Sequence, residues 1–248
     1  MTNPSTAIQD RAALVVGAGD ATGSAIARRF AAEGYRVVAV RRHGDALAPL
    51  VEGIRAAGGV AEGWACDARD EAQVVALVER IEREVAPLEI VVFNIGANVR
   101  FDVTETTERV YRKVWEMGAL AGFLVGREAA RAMLPRGCGS IFFTGATASL
   151  RGGAGFCAFA GAKFALRALA QSMARELGPK GLHVAHLVID GAIDTDFIAK
   201  NFPERYATKA EDGILDPEAI AAAYWALHQQ PRSAWTHEQD LRPWIESF

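Results

Sequence analysis

Two residues in the second half of the chain, Phe159 and Lys163, have the spacing to share one site. They bound the segment Phe159-Ala160-Gly161-Ala162-Lys163. Residues four apart lie on one face of a helix, so we expect both side chains to point toward the same place. A lysine ammonium offers a positive charge and three hydrogen-bond donors. A phenyl ring carries no ionisable proton, so the pair predicts a site that binds through Lys163 and has no acid at Phe159.

A glycine-bearing turn near the start of the chain predicts a site for nucleotide phosphates. The apolar run Ala12–Val16 predicts a buried strand, and a helical stretch follows the turn until Gly34 ends it. Tyr35–Val40 predicts the next strand. In this order the backbone N–H groups of the turn and the helix N-terminus face a pyrophosphate, whereas glycines in an ordinary turn would face nothing. The residues predicted to contact the cofactor here are Gly17, Gly19, Asp20, Ala21, Thr22 and Gly23.

The end of the second predicted strand indicates which dinucleotide is bound. An acidic side chain at this place accepts hydrogen bonds from the 2′-hydroxyl of NAD, whereas arginine favours the 2′-phosphate of NADP. This chain has Arg41 and Arg42 there. The prediction is NADP, with NAD as the less favoured alternative.

The elements that must position these residues alternate between strand and helix. Further strands are predicted at Val60–Cys66, Leu88–Phe93, Ser140–Thr144 and Leu182–Ile189, and a long helical stretch at Thr104–Met133. This alternation predicts an α/β fold, a Rossmann-like doubly wound parallel sheet of about seven strands with helices on both faces. We expect residues 1–248 to form a single domain.

The glycine turn, the segment Asn94-Ile95-Gly96-Ala97 and the Phe159–Lys163 segment together resemble the short-chain dehydrogenase/reductase family. The family's turn is Thr-Gly-x-x-x-Gly-x-Gly, which Gly17 and Gly23 match, and Asn94–Ala97 is similar to its Asn-Asn-Ala-Gly. The resemblance extends along most of the chain. It implies an NAD(P)-dependent oxidoreductase that transfers a hydride to or from a small organic substrate.

The resemblance also implies further contacts with the cofactor. The residues concerned are Asp67 at the adenine ring, Asn94 and Gly96 after the fourth strand, and Ile193 and Thr195 at the nicotinamide. Residues 195–215 would be the segment that covers the substrate. Asp20 disagrees with the NADP prediction, because NADP-using members often carry a basic residue at that position.

Three of the family's four catalytic positions have lost their chemistry. The family's Tyr-x-x-x-Lys has Phe159 in place of its general acid/base, and the substrate-binding serine thirteen residues earlier is Ala146. Gly118 replaces the asparagine that holds a proton-relay water, so only Lys163 remains. A register shifted by one residue would offer Thr147 as a substitute for the serine. Thr144 lies two residues back from Ala146, on the same side of the strand.

Three functions are compatible with this pattern. The first is an NADP-dependent oxidoreductase with a nonstandard or water-borne proton donor. The second is an oxidoreductase whose acceptor needs no proton, such as an iminium carbon. The third is a catalytically silent nucleotide-binding sensor or partner subunit. The family resemblance favours the first two over the third, and the sequence does not identify the substrate.

Composition limits the other classes of partner. The chain has 248 residues, half of them hydrophobic, and a formal net charge of -3. We predict no nucleic-acid partner, no membrane span, no metal site and a cytoplasmic protein with reduced thiols. The resemblance implies a homodimer or homotetramer that assembles through the helices of residues 104–133 and 156–177.

Overall fold

A parallel sheet is the centre of the molecule. The computed structural model describes residues 10–19 and 21–246, so the predicted contact of Asp20 lies outside the described residues. Within them, seven strands pair in the order β3-β2-β1-β4-β5-β6-β7, every pair parallel. The strands are β1 (Ala12–Val16), β2 (Arg36–Arg41), β3 (Val60–Ala65), β4 (Leu88–Phe93), β5 (Gly139–Thr144), β6 (Leu182–Ile189) and β7 (Glu238–Leu241).

Helices cover both faces of this sheet. They are α1 (Thr22–Ala32), α2 (Ala48–Ala56), α3 (Glu71–Arg80), α4 (Glu108–Trp115), α5 (Ala121–Met133), α6 (Cys157–Leu177), α7 (Asp196–Asn201), α8 (Pro203–Ala207) and α9 (Pro217–His228). Buried side chains of α1, α2 and α9 pack on one face, and those of α3, α5 and α6 on the other. The predicted fold class is confirmed.

The central strands are largely apolar because both of their faces are covered. Every residue of β1 and of β6 is buried. The pairing register aligns the ends of neighbouring strands: Val16 lies opposite Val40 and Phe93, and Phe93 opposite Phe143. The carboxyl ends of β1, β2, β4 and β5 therefore meet at one edge of the sheet, where open α/β sheets bind their ligands.

The long helical stretch predicted at Thr104–Met133 is wrong at its start and is not a regular helix. Asp102 O accepts hydrogen bonds from the backbone N–H groups of Glu105 and Thr106, which closes a turn there. The helix begins at Glu108 because the Thr107 hydroxyl accepts a hydrogen bond from Val110 N at 3.3 Å. A π-helical turn at Glu116–Leu120 then separates α4 from α5.

Across the described ranges 10–19 and 21–246, the helices lack either the length or the apolar character needed to cross a membrane.

Candidate active site

A cavity of about 870 Å³ lies at the carboxyl edge of the sheet. The residues that end β1, β5 and β6 line it, namely Val16, Thr144 and Ile189. It is large enough for a dinucleotide with a substrate beside it.

One end of the cavity is the turn between β1 and α1, and its close packing requires glycine. Gly17 has a φ of +89°, and a Cβ there would lie 2.6 Å from Asn94 O. A Cβ on Gly23 would lie 2.3 Å from Gly17 O. Ala21, Thr22 and Gly23 line the cavity at the start of α1, where Ala21 has no side-chain oxygen to cap the helix. The helix N-terminus that lines the cavity and the tight turn before it fit a pyrophosphate.

The end of β2 brings basic side chains to the same cavity. Arg41, Arg42 and His43 line it, and so do Asp67 and Arg69 from the loop after β3. The Arg69 guanidinium donates hydrogen bonds to both carboxylate oxygens of Asp67 and lowers the pKa of that carboxyl to about 2. Asp67 is therefore a charged carboxylate held in place by Arg69 at this end of the cavity.

Lys163 lies at the other end of the cavity, on α6. Its Nζ donates hydrogen bonds to Thr144 O at 2.8 Å and to Ile95 O at 3.2 Å. The side chain is buried, and burial lowers its pKa from 10.5 to about 8. Two of its three donors are occupied by carbonyls, so one remains for a ligand.

Apolar groups surround Phe159, which stands where the family has its tyrosine acid. The Phe159 ring centroid is 5.8 Å from Lys163 Nζ, which places both residues at one site as the helical spacing predicts. Phe159 packs with Ala148 and Ala160, and Ala146 and Phe156 adjoin this cluster. Phe159 and Ala146 both line the cavity, and neither carries a polar side-chain atom.

A hydroxyl and a buried carboxyl lie behind this apolar surface. Thr147, in the short 3₁₀ turn after β5, donates its hydroxyl proton to Asp190 Oδ1. Asp190 follows β6 and is 1% exposed, and its Oδ2 has no hydrogen-bond partner among the described residues. Thr147 lines the cavity. The register shifted by one residue, which offers Thr147 as a substitute for the family's serine, therefore corresponds to a hydroxyl-bearing residue at the cavity.

Thr144 is not the alternative hydroxyl that the strand pattern suggests. Its Oγ1 is 2.7 Å from the hydroxyl of Tyr224, which α9 carries on the opposite face of the sheet from Lys163. Tyr224 is fully buried, so this hydroxyl pair is part of the core. The Thr144 hydroxyl is therefore committed to the core, although the residue lines the cavity.

Two other predicted site residues lie away from the cavity. Gly118 is in the π-helical turn, and a Cβ there would meet the Cβ of Ala162 on α6 at 3.0 Å. It is a packing position between helices. Thr195 caps α7, where its hydroxyl accepts a hydrogen bond from Ile198 N at 3.2 Å.

The remaining predicted residues come together. Those that line the cavity are Gly17, Gly19, Ala21, Thr22, Gly23, Arg41, Arg42, Asp67, Asn94, Gly96, Ala146, Phe159, Lys163 and Ile193. Two arginines that line the cavity, Arg69 and Arg151, are not among the site residues predicted from the sequence. Arg69 had a usable signal, its position two residues after Asp67, whereas Arg151 lies in no motif.

The covering segment predicted at residues 195–215 joins the site at its base. Leu215 N donates to Ala192 O at 2.8 Å and Asp194 N to Leu215 O at 2.9 Å, so main-chain bonds hold its two ends together. Residues 195–215 are all described, and none of them lines the cavity.

The chain is similar to known proteins in sequence and in fold. The sequence model of the short chain dehydrogenase family matches residues 11–205. A short-chain dehydrogenase structure from Rhodopseudomonas palustris is 54% identical with a TM-score of 0.82, over 95% of this chain and 99% of that one. A fatty acyl-CoA reductase of Mycobacterium tuberculosis is 30% identical over 86% of this chain and 71% of its own length. Gluconate 5-dehydrogenase of Gluconobacter oxydans is 27% identical over 92% of this chain and 83% of its own.

Proposed function

The chain belongs to the short-chain dehydrogenase/reductase family, and we propose that it is an NADP(H)-dependent oxidoreductase acting on a small organic substrate. The observation that carries the proposal is one cavity in which the glycine turn after β1, a basic pair at the end of β2 and the buried Lys163 lie together. Relatives named as dehydrogenases and reductases support an enzyme over a silent sensor.

Residues at the two ends of the cavity would bind different parts of the cofactor. Gly17–Gly23 would receive the pyrophosphate, Arg42 the 2′-phosphate, and Asp67 the adenine amine. Lys163 would hold the nicotinamide ribose with its remaining donor, and it keeps its charge below a pKa of about 8. When bound, the cofactor supplies or accepts a hydride.

The proton needs a different carrier, because the Phe159 ring cannot provide one. Thr147 already donates to Asp190, so toward the cavity its oxygen is an acceptor. In the oxidising direction the substrate hydroxyl would pass its proton to Thr147 Oγ1, while the Thr147 proton moves to Asp190. Reduction would run the same transfer backwards, so the proton stays balanced in both directions.

Transfer of the cofactor's hydrogen to a product is the direct test of an oxidoreductase. NADPH deuterated at C4 would be incubated with the protein and a panel of ketones, aldehydes and cyclic iminium salts, and products would be analysed by mass spectrometry. Deuterium on the former carbonyl or iminium carbon is the expected result. Tight cofactor binding with no labelled product from any class would indicate a sensor or partner subunit instead.

The preference for NADP has its own test. Fluorescence titration should show tighter binding of NADPH than of NADH, because arginine pairs with the 2′-phosphate. Arg42→Ala should weaken NADPH binding and leave NADH binding nearly unchanged. Equal affinities in the wild-type protein would reject the preference.

A further inference from the structure

The end of the cavity around Phe159 is apolar except for a few polar groups. We call it the substrate end and define it by the lining residues Met117, Ala146–Ala148, Arg151–Gly153, Phe156 and Phe159. Its wall is made mostly of aromatic rings, methyl groups and glycines. Binding pockets of this kind hold an apolar body and orient it through one or two polar groups.

Arg151 is the charged residue that lines the substrate end, and its guanidinium forms one long ion pair and no charge-assisted hydrogen bond to a carboxylate among the described residues. The nearest carboxylate oxygen is Asp190 Oδ1 at 3.7 Å, which is beyond hydrogen-bond distance. That oxygen already accepts the Thr147 hydroxyl. The Arg151 side chain is 46% exposed, so its donors remain accessible from the cavity.

A second arginine lies at the rim of the substrate end. The Arg100 guanidinium carbon is 5.8 Å from the ring centroid of Phe156. Among the described residues it has no carboxylate partner, whereas Arg11, Arg127 and many other surface arginines are paired. Asp190 does not line the cavity, so the charged side chain that a ligand contacts directly at this end is Arg151.

We infer that the substrate has an apolar or aromatic body and a carboxylate, and that Arg151 binds the carboxylate. The inference rests on the proposed function, whose substrate class it specifies. The planar guanidinium matches a carboxylate with two parallel hydrogen bonds. Arg100 adds attraction at the entrance, and the apolar wall beside Phe159 receives the body.

Three probes with one body and different charges test this inference. They are 4-phenylbutanoate, 4-phenylbutanamide and 4-phenylbutylamine, each titrated by calorimetry into the protein saturated with NADP⁺. A charge-assisted pair should make the carboxylate bind about tenfold or more tighter than the amide. The amine should bind more weakly than either.

Arginine variants identify the group responsible. Arg151→Gln should bring carboxylate and amide to equal affinity without changing the affinity for the amide, and Arg151→Lys should retain part of the preference because it keeps the charge. Arg112→Gln is the matched control, since that arginine pairs with Glu108 on the exposed side of α4.

Four outcomes would overturn the inference: no binding of any probe, equal binding of carboxylate and amide by the wild-type protein, tighter binding of the amine, or a preference that survives in Arg151→Gln. These outcomes are separate from failure of the proposed function. That failure would appear as missing deuterium transfer, which the probe titrations do not measure.

Discussion

At the scale of residues, burial of the charged Lys163 side chain costs folding free energy. A buried ammonium loses its hydration, and two backbone carbonyls replace only part of it. The lowered pKa of about 8 expresses that cost. A lysine held in this way is poised to gain from a bound ribose hydroxyl, which supplies a further hydrogen-bond partner.

Lys163 gives stability a specific pH dependence. Its pKa is about 8 in the folded protein and ordinarily 10.5, so the unfolded chain binds more protons between these values. The free energy of unfolding should therefore rise with pH in that window, by about 3 kcal/mol in full. Lys163→Met should lack this rise.

Urea unfolding of both proteins at pH 7, 8.5 and 9.5 measures the difference. Lys180→Met, which changes an exposed lysine paired with Glu176, is the control. A difference between wild type and Lys163→Met that stays constant with pH would contradict the assigned burial.

The sequence predicts individual site residues when they lie close together in one element. The four-residue spacing placed Phe159 and Lys163 on one helix face, and their separation of 5.8 Å agrees with it. Thr147 and Asp190 are 43 residues apart, and no local pattern reveals their hydrogen bond. Arg151 lies in no motif, and its ion pair joins it to Asp190, which is distant in the sequence.

At the scale of elements, the turn between β1 and α1 sets the shape of the cavity end where we propose that the pyrophosphate binds. Gly23 brings the start of α1 against the backbone of Gly17. Gly19 lies in the same turn, but a Cβ there would have no atom within 4 Å. Gly23 is therefore required for packing within the protein. We propose that Gly19 is instead required to leave space for the bound cofactor.

Alanine substitutions at these two glycines should affect different properties of the protein. Gly23→Ala should lower the free energy of unfolding by about 1–3 kcal/mol, because its methyl group would overlap a carbonyl oxygen. Gly19→Ala should leave stability within about 0.5 kcal/mol and weaken NADPH binding, because its methyl group would point into the space for phosphate. Thermal unfolding and cofactor titration measure both. Equal loss of stability in the two variants would contradict the turn's assigned role.

The sequence predicts the bounds of an element best where both of its faces are buried, because such an element is a continuous apolar run. The continuous apolar run of β1 predicted its bounds, since a strand covered on both faces has no polar alternation. The start of α4 was misplaced because residues 104–107 can continue a helical pattern, and the competing turn at Asp102 is a backbone feature. The π-helical turn at Glu116–Leu120 consists of ordinary helix-forming residues, so nothing in its sequence marks it.

At the scale of the whole molecule, α4, α5 and α6 carry exposed aromatic side chains. Tyr111, Trp115, Phe123 and Phe164 are between 41% and 45% exposed. Exposed aromatic residues concentrated on neighbouring helices are typical of interfaces between subunits. They agree with the expectation that these helices assemble the protein.

We expect a homodimer or homotetramer at micromolar concentration, measured by light scattering coupled to size-exclusion chromatography. The double variant Phe123→Glu/Phe164→Glu should shift the mass toward the monomer, because buried charge opposes association. Phe197→Glu, at an exposed position of α7, is the control. A wild-type protein that elutes only as a monomer would reject this assembly.

The central claim is that this cavity is a hydride-transfer site in which the usual proton donor has been replaced. The measurement is NADPH consumption with activated ketones by Phe159→Tyr/Ala146→Ser, which adds a phenol beside Lys163 and a serine hydroxyl nearby. The positive charge of Lys163 would lower the pKa of the new phenol. Phe164→Tyr, on the same helix but 42% exposed, is the matched control.

We predict that the double variant reduces these ketones about 10²-fold faster than the wild-type protein, the factor that a positioned general acid contributes. Its affinity for NADPH should be unchanged, because Lys163 and the glycine turn are intact. Gly118 still leaves no side chain to hold a relay water, which limits the gain. Unchanged ketone reduction in a double variant that folds and binds NADPH would contradict the claim.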